Sequence, residues 1–330
     1  MDAEEFLARY AKGETDFQSV NLAGMSLVGA DLIGIDLRGA SLQGVHLQFC
    51  HFGRANLSGA LLNGARLEGC NFTQAVLNES YFRDAQCHGC VFDRASLQSA
   101  DLALAVFRDC NLLGSDLRQA NLSHILLTGS CLRGANFRKE NYQEAANLVG
   151  ADLRQVDLQG TNLAGANLAR ANLQGANLKE ANLNGVSLPQ ANLESANLQG
   201  AILTRALLYE ANLTGSNLRQ SRLTQADLRG AILNHADLSQ AILSEARLDE
   251  AQAQGVTLRD AVLNRADLRR ADLTGADLQA ARLIDAYLAR TILKGANLRQ
   301  ANLMRADLSS AVLLEACLEE ALMPDGSVFI

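Results

Sequence analysis

A five-residue unit repeats along almost the whole chain, most regularly from Ala166 to Leu183, where alanine, asparagine and leucine open each unit. A period of five suits no ordinary element, since a helix that turns about 100° per residue would place successive leucines about 140° apart. In a strand, an odd period would send alternate leucines to opposite faces. Only a chain that turns a corner every five residues keeps all of them inward. The repeat therefore predicts a solenoid of very short strands and tight turns.

Two kinds of exception recur at a common interval. One is a cysteine two places before the central residue of a unit, and the other is a phenylalanine as the central residue. The residues are Cys50, Cys70, Cys90 and Cys110, with Phe52, Phe72 and Phe92. Each set repeats every twenty residues, so side chains at this interval should stack on one face. The spacing predicts four pentapeptides per coil and a roughly square cross-section.

With these features the chain resembles the pentapeptide-repeat family, in which a central leucine or phenylalanine follows a small residue by two places. The resemblance extends over nearly the whole sequence. It implies an all-β fold, namely a right-handed quadrilateral β-helix (β-solenoid). At four pentapeptides per coil, the repeats of this sequence amount to about 15 coils. The resemblance also implies two kinds of partner, because some members bind DNA gyrase as DNA mimics and some dimerise end to end through their last coils.

The sequence divides into five predicted segments. They are an N-terminal capping helix at 1–14, a first repeat block at 15–137, a register break or bulged loop at 138–145, a second repeat block at 146–320 and a C-terminal cap at 321–330. In the first segment, Asp2 is the predicted N-cap and Gly13 can close the helix. Because a solenoid must cover its open end, this helix is predicted to cap the first coil.

The register of the repeat changes after Phe137. The next central residue is Leu148 rather than residue 147, and Glu140 stands where a small inward side chain belongs. One extra residue is therefore predicted, in a bulged or looped corner. Tyr142 in this charged stretch is a candidate contact residue, and the alternative is an insertion that a surface turn merely tolerates.

The last residues leave the repeat. Pro324–Gly326 has the composition of a turn, and Val328–Ile330 is apolar. Two interpretations stay open for this apolar segment. It either forms a lid over the last coil or contributes to a homodimer through the C-terminal coils, as the resemblance implies for some members.

Charge and hydropathy narrow the classes of partner. The 330 residues carry 36 acidic and 29 basic side chains, a net charge of -7, which argues against direct binding to nucleic acid or to an anionic membrane. No apolar run approaches the roughly 18 residues of a membrane span. The N-terminus also lacks the basic region of a secretory signal. We therefore expect no membrane span and a cytoplasmic location.

Cys87 and Cys90 form the one motif suited to chemistry, because two cysteines at this spacing serve thiol redox and zinc sites. Cys87 is predicted at a central position and Cys90 at the next small-residue position, so both should be buried, whereas reactive thiols need partial exposure. Serine, histidine and acidic residues show no arrangement of nucleophile and base, and no long insertion is present to build a pocket. The sequence predicts no catalytic residue, metal or cofactor.

Two sets of outward residues are candidate interaction sites, because a solenoid acts through its faces. The first set is Arg219, Arg259 and Arg299, and the second is Ile202, Ile242 and Val262. Members of each set are separated by multiples of twenty residues, so each set should line one face. The arginines stand among acids, as on an ordinary solvated face. The β-branched residues are either simple strand formers or a binding patch.

The leading hypothesis is a non-enzymatic scaffold that binds another protein, of unknown identity, through the faces of a rigid β-helix. The alternative, implied by the resemblance, is a DNA-mimicking inhibitor of DNA gyrase or another topoisomerase. A mimic of duplex DNA over about 70 Å would present about 40 negative charges, whereas here 36 acids face 29 bases. A redox or zinc protein built on Cys87 and Cys90 is the third hypothesis.

Overall fold

The computed structural model describes residues 1–138 and 146–330. These residues form two compact units, Met1–Asn167 and Leu168–Ile330. Apart from one short helix, both units consist of single-residue strands and turns that repeat every five residues. The segment boundaries predicted from the repeat blocks stay predictions.

The N-terminal helix α1 spans Ala3–Ala11, and its ends match the sequence prediction. The carboxylate of Asp2 accepts a hydrogen bond at 2.8 Å from the backbone N–H three residues later. Gly13 follows the last turn with a φ of 91°, the left-handed conformation that ends many helices. Phe6 is fully buried, and its ring lies 4.7 Å from that of Phe17, so α1 covers the first coil. Nowhere in the described chain is there a helix long and apolar enough to cross a membrane.

Parallel pairing between residues twenty positions apart builds the coils of each unit. In the first unit, Ser41 pairs with Asn21 in the coil before it and with Leu61 in the coil after it. The backbone N–H of Ser41 donates to the carbonyl of Val20 at 2.8 Å, and that of Leu22 donates to the carbonyl of Ser41 at 2.8 Å. The pairing interval is the one at which cysteine and phenylalanine recur in the sequence.

Each pentapeptide ends in a tight turn. The N–H three places after a central residue donates to the carbonyl of that residue, as from Met25 to Leu22 at 3.1 Å. The residue two places after the central one has a positive φ, as Gly24 does at 70°. This conformation occurs even where a side chain is present, as at Phe49 (φ 61°) and Arg54 (φ 57°). Because left-handed backbone costs an L-residue roughly 1–2 kcal/mol, pairing between coils outweighs the strain at these corners.

Leucine and phenylalanine side chains fill the interior of the coils. The rings of Phe52 and Phe72 lie 5.0 Å apart, and those of Phe72 and Phe92 lie 4.9 Å apart, both pairs stacked. The cysteines beside these rings are buried, and Cys70 donates its S–H to the carbonyl of Leu47 at 2.8 Å. The side chains predicted to stack at an interval of twenty residues therefore do so. Each buried leucine or phenylalanine contributes about 2 kcal/mol of hydrophobic free energy before entropy is subtracted.

An asparagine or aspartate before the central residue closes the corner of its own pentapeptide. The Oδ1 atom of Asn172 accepts a hydrogen bond from the backbone N–H of Gln174 at 3.2 Å. The same atom accepts one from Nδ2 of Asn192 in the next coil, also at 3.2 Å. One side chain thus satisfies a corner N–H and links two coils. The sequence analysis did not predict this role, although the frequent asparagine and aspartate at this position were its signal.

Five aspartates in this position also bind the arginine two places later. The shortest N–O distances are 2.6 Å for Asp36 with Arg38, 2.5 Å for Asp116 with Arg118, 2.7 Å for Asp152 with Arg154, 2.6 Å for Asp227 with Arg229 and 2.6 Å for Asp267 with Arg269. Hydrogen bonds from Arg154 hold the pKa of Asp152 below its ordinary value. Burial opposes ionisation of Asp227, yet the hydrogen bonds and charge of Arg229 leave its pKa lowered as well.

The coil that crosses the register break is longer than predicted. Asn121 pairs with Asn147, 26 residues further on, whereas it pairs with Asp101 at the usual interval of 20. The difference is six additional residues, so the prediction of one extra residue is wrong. Residues 139–145 lie outside the described part of the chain. The proposed role of Tyr142, which falls among them, stays a prediction.

The C-terminal residues form a small hairpin, with Leu322 and Val328 paired antiparallel on either side of the predicted turn at Pro324–Gly326. Val328 and Phe329 are 58% and 46% exposed, and Ile330 is fully exposed. These side chains would therefore leave much of their own apolar surface exposed if they formed a lid over the last coil. The alternative of a homodimer contact stays a prediction.

Substitution of Leu228 by lysine should destabilise the protein strongly, because Leu228 is fully buried. We expect a loss of about 4 kcal/mol or more, from lost packing together with an unpaired charge in an apolar interior. Gln174→Lys, at an exposed corner, is the control and should change stability by no more than about 0.5 kcal/mol. The measurement is chemical or thermal unfolding of both variants. Equal stabilities would contradict the assignment of inward and outward positions.

The five ion pairs between an aspartate and the arginine two places later, here called the Asp-Leu-Arg pairs, should make stability depend on pH in the acid range. A carboxylate whose folded pKa is lowered stabilises the protein above the unfolded pKa of about 3.9, and this stability is lost as pH falls through the lower folded value. Arg154→Gln should bring the pKa of Asp152 back toward its ordinary value. The variant should therefore be less stable than the wild type at neutral pH and lose less stability in acid.

Arg108→Gln is the matched control. Arg108, like Arg154, comes directly after a central residue, but the residue two places before it is Val106 instead of an aspartate. Urea unfolding at several pH values from 7 down to about 3 measures both variants. Identical pH profiles for Arg154→Gln and the wild type would show that this ion pair does not act as described.

Candidate interaction surfaces

The three arginines predicted to line one face belong to the second unit, and each already has an acidic partner in the next coil. The ion pairs join Arg219 to Asp237 at 3.2 Å, Arg259 to Asp277 at 3.3 Å and Arg299 to Glu319 at 2.9 Å. The six side chains are 31% to 52% exposed, so each pair is worth at most about 1 kcal/mol. Their charges nevertheless cancel locally. This surface has the character of an ordinary solvated face, as the mixed charges in the sequence indicated.

Two shallow notches interrupt the corners of the second unit. The first, of about 390 Å³, is lined by Arg219, Ser239, Gln240, Arg259, Asp260, Gln279, Ala280 and Gln300. The second, of about 380 Å³, is lined by Asp249, Glu250, Arg269, Arg270, Ala289 and Arg290. Their walls are charged or amide side chains. Small-molecule sites more often have apolar walls with a few converging polar groups.

The predicted β-branched residues lie in one column of the second unit. Parallel bridges join Ile202 to Arg222, Arg222 to Ile242, Ile242 to Val262 and Val262 to Arg282. We call these five residues the isoleucine–arginine column. Ile202 and Ile242 are 38% and 37% exposed. The sequence analysis overlooked the two arginines of the column, although they fall at the same interval of twenty residues.

The arginines of the column differ from those described above in having no acidic partner. Among the described residues, neither Arg222 nor Arg282 takes part in an ion pair or a side-chain hydrogen bond. Both are exposed. By contrast, Arg229 and Arg269 bind aspartates within their own pentapeptides. The column therefore presents two guanidinium groups whose donors are free for a partner.

Short polar side chains border the column. Thr204, Thr224 and Ser244 each follow a column residue by two places, and all three are partly buried. Because these side chains are short, they do not overhang the isoleucines. The column is therefore an exposed strip of aliphatic side chains bordered by short polar ones, and it carries an arginine in each of two coils.

The environment of Cys87 and Cys90 does not favour reactive thiols. Both are buried, as predicted. Cys90 donates its S–H to the carbonyl of Leu67 at 2.9 Å, and Cys110 donates to the carbonyl of Cys87 at 2.6 Å. Burial raises the pKa of the Cys87 thiol, whereas hydrogen bonds from Cys110 and Cys87 lower the pKa of Cys90 to about 5. Both side chains are fully buried, so neither has the partial exposure that reactive thiols need. Within residues 1–138 and 146–330, no group of three or more histidine, cysteine, aspartate or glutamate residues is placed to hold a metal ion.

Solved structures of pentapeptide-repeat proteins are similar to the chain. HetL, which is involved in heterocyst differentiation regulation in the cyanobacterium Nostoc sp., is 30% identical over 100% of both chains, with a TM-score of 0.18. A protein from the thylakoid lumen of Arabidopsis thaliana is 25% identical over 37% of this chain and 70% of its own, with a TM-score of 0.28. Full-length QnrB1, a plasmid-mediated fluoroquinolone resistance protein, is 19% identical over 76% of this chain and 93% of its own, with a TM-score of 0.23. TM-scores this low carry no structural argument.

Comparison with protein families gives matches along most of the sequence, whereas no curated protein sequence matches it. The family described as pentapeptide repeats matches in 8 copies, at residues 15–52, 146–185, 187–225, 206–244, 221–260, 254–290 and 281–319. The family described as pentapeptide repeat region matches residues 62–137. These matches cover well over half of the residues. The chain therefore belongs to the pentapeptide-repeat family, whose fold is a right-handed β-helix.

Proposed function

We propose that the protein is a non-enzymatic scaffold that binds another protein through the isoleucine–arginine column. The observation that carries the proposal is the exposure of Ile202 and Ile242 in one column with two unpaired arginines. Exposed apolar surface with a polar border marks interaction sites on soluble proteins. Arginine is among the residues enriched where binding energy concentrates. The column combines both properties.

A non-enzymatic role is supported by the chemistry of the notches. Several of their charged side chains are held in ion pairs, as Arg270 is with Glu250 at 2.9 Å and Arg259 is with Asp277 of the next coil. The linings include neither cysteine nor histidine. Histidine is the side chain that most often acts as a general acid or base, so these linings lack the commonest group for proton transfer.

The alternative function is DNA-mimicking binding to gyrase or another topoisomerase, and one similar protein, QnrB1, is a fluoroquinolone resistance protein. A mimic needs carboxylates that are free to take the place of phosphates. Here the aspartates of the Asp-Leu-Arg pairs and the partners of Arg219, Arg259 and Arg299 are neutralised by arginine. This pairing weighs against mimicry and favours the scaffold.

The proposal also includes a cytoplasmic location and a homodimer. A cytoplasmic location agrees with seven free cysteines, of which Cys317 is exposed, because a reducing compartment keeps thiols unpaired. A homodimer through the C-terminal coils is supported by the exposed apolar side chains of Val328 and Phe329. Neither feature is needed for the column to bind a partner.

Affinity capture from the cell of origin tests the scaffold, with the double variant Ile202→Asp/Ile242→Asp as the decisive protein. We expect the wild type to retain a specific protein that this variant loses, because a carboxylate cannot replace the buried aliphatic contact. The affinity measured with the purified partner should fall at least tenfold, or about 1.4 kcal/mol.

Ile232→Asp/Ile292→Asp is the matched control, since Ile232 and Ile292 occupy the same position of the pentapeptide in a different column. The control should bind as the wild type does. A partner lost by both variants alike, or by neither, would count against the isoleucine–arginine column. Failure of the wild type to retain any specific protein would count against the scaffold itself.

The DNA-mimic alternative is tested with DNA gyrase. We expect the purified protein to leave DNA supercoiling by gyrase unchanged at micromolar concentration, because its acids are matched by arginines and cannot compete with duplex DNA. A supercoiling assay read on agarose gels measures this, with a DNA-mimicking inhibitor as the positive control. Inhibition at sub-micromolar protein would place the DNA-mimic function first.

A further inference from the structure

The two arginines of the isoleucine–arginine column are separated by a fixed distance. Arg222 and Arg282 are three coils apart, with Ile242 and Val262 at the two levels between them. At about 4.8 Å per coil, the levels lie at about 0, 4.8, 9.6 and 14.4 Å along the stacking direction. A partner that uses the whole column must therefore offer an acid, two apolar side chains and a second acid at matching heights.

The residues of the column cost the fold hydrogen bonds to the backbone. Asparagine or aspartate at this position accepts a hydrogen bond from the N–H two residues later, as Asn172 does. The side chains of isoleucine, valine and arginine have no acceptor atom. Over five successive coils, from Ile202 to Arg282, the column gives up this closing bond, and at the last level the N–H of Ile284 donates to Oδ1 of Asn264 instead, at 3.2 Å. Such a sacrifice at one surface is expected where the side chains serve a contact outside the coil.

An α-helix lying along the stacking direction matches these levels. Its rise of about 1.5 Å per residue places positions i, i+3, i+7 and i+10 at about 0, 4.5, 10.5 and 15 Å, all on one side of the helix. Each height agrees with a level of the column to within about 1 Å, which long arginine side chains can accommodate. A β-strand places successive residues of one face about 6.7 Å apart, so only three of its side chains would span the length over which the column has four levels.

We propose that the column binds an amphipathic α-helix of a partner protein, with acidic residues at i and i+10 and apolar residues at i+3 and i+7. This inference rests on the proposed scaffold function and names the chemistry of its partner. The two carboxylates pair with Arg222 and Arg282, which have no acidic partner among the described residues. The two apolar side chains cover Ile242 and Val262. Arginine accepts a carboxylate in a two-point hydrogen-bonded geometry, which fixes the register of the helix.

Designed helical peptides test the proposal directly. One fluorescently labelled, helix-stapled peptide carries glutamate at i and i+10 with leucine at i+3 and i+7, and a second carries lysine in place of both glutamates. Fluorescence anisotropy measures their binding to the wild type and to Arg222→Glu/Arg282→Glu. We expect the glutamate peptide to bind the wild type at least tenfold more tightly than this variant. The lysine peptide should show the reverse preference.

A charge-matched control separates the column from a general effect of net charge. Arg290→Glu/Lys294→Glu changes two exposed cations that lie outside the column. It should bind the glutamate peptide as the wild type does, and all variants should melt at the wild-type temperature. Equal binding of the glutamate peptide to the wild type and to Arg222→Glu/Arg282→Glu would overturn the proposal, as would equal weakening in the control.

The failure of this proposal differs from the failure of the scaffold function. The two are distinguished by measuring how tightly the protein captured by the wild type binds to Arg222→Glu/Arg282→Glu. If that partner requires Ile202 and Ile242 but binds the arginine variant unchanged, the scaffold function stands and the acidic helix is wrong. If the partner needs neither pair of residues, both proposals are wrong. Loss of affinity in both variants supports the two together.

Discussion

Backbone hydrogen bonds between adjacent coils, such as those from Ser41 to Val20 and from Leu22 to Ser41, hold the other features of each unit in place. They align the central leucines and phenylalanines into a continuous interior, as the stacked rings of Phe52 and Phe72 show. They also impose a left-handed corner on residues that would not choose it, such as Phe49 and Arg54. The same bonds turn a spacing in sequence into a column on the surface. Any function of the faces therefore follows from this pairing.

Much of the fold was predictable because the repeat constrains it so strongly, and the one error has a simple cause. An insertion of one residue and an insertion of six shift a five-residue repeat by the same amount, so the position of Leu148 is compatible with either. Pairing at an interval of 26 residues, as between Asn121 and Asn147, distinguishes them. The helix at the N-terminus was predictable for a different reason, since Asp2 and Gly13 are strong local signals that need no tertiary information.

The surfaces were less predictable than the interior. The spacing of Arg219 and Arg259 placed them on one face, but their aspartate partners come from the next coil, and whether side chains meet across coils depends on rotamers that a spacing does not specify. Arg222 and Arg282 were missed because a charged residue in a column of β-branched residues looks like an interruption. In the structure they differ from Arg219 and Arg259 in forming no ion pair with the acids that the structure describes.

The arrangement of the bridges has a mechanical consequence. Each coil bonds only to the coils before and after it, through bonds that run along the stacking direction. Tension in that direction loads these bonds one coil at a time, as in unzipping, whereas long strands pulled in shear share the load among many bonds. A unit of this kind is therefore soft when stretched along its axis and yields by peeling from an end. A partner that spans several coils acts as a splint, because peeling would then have to break its contacts as well.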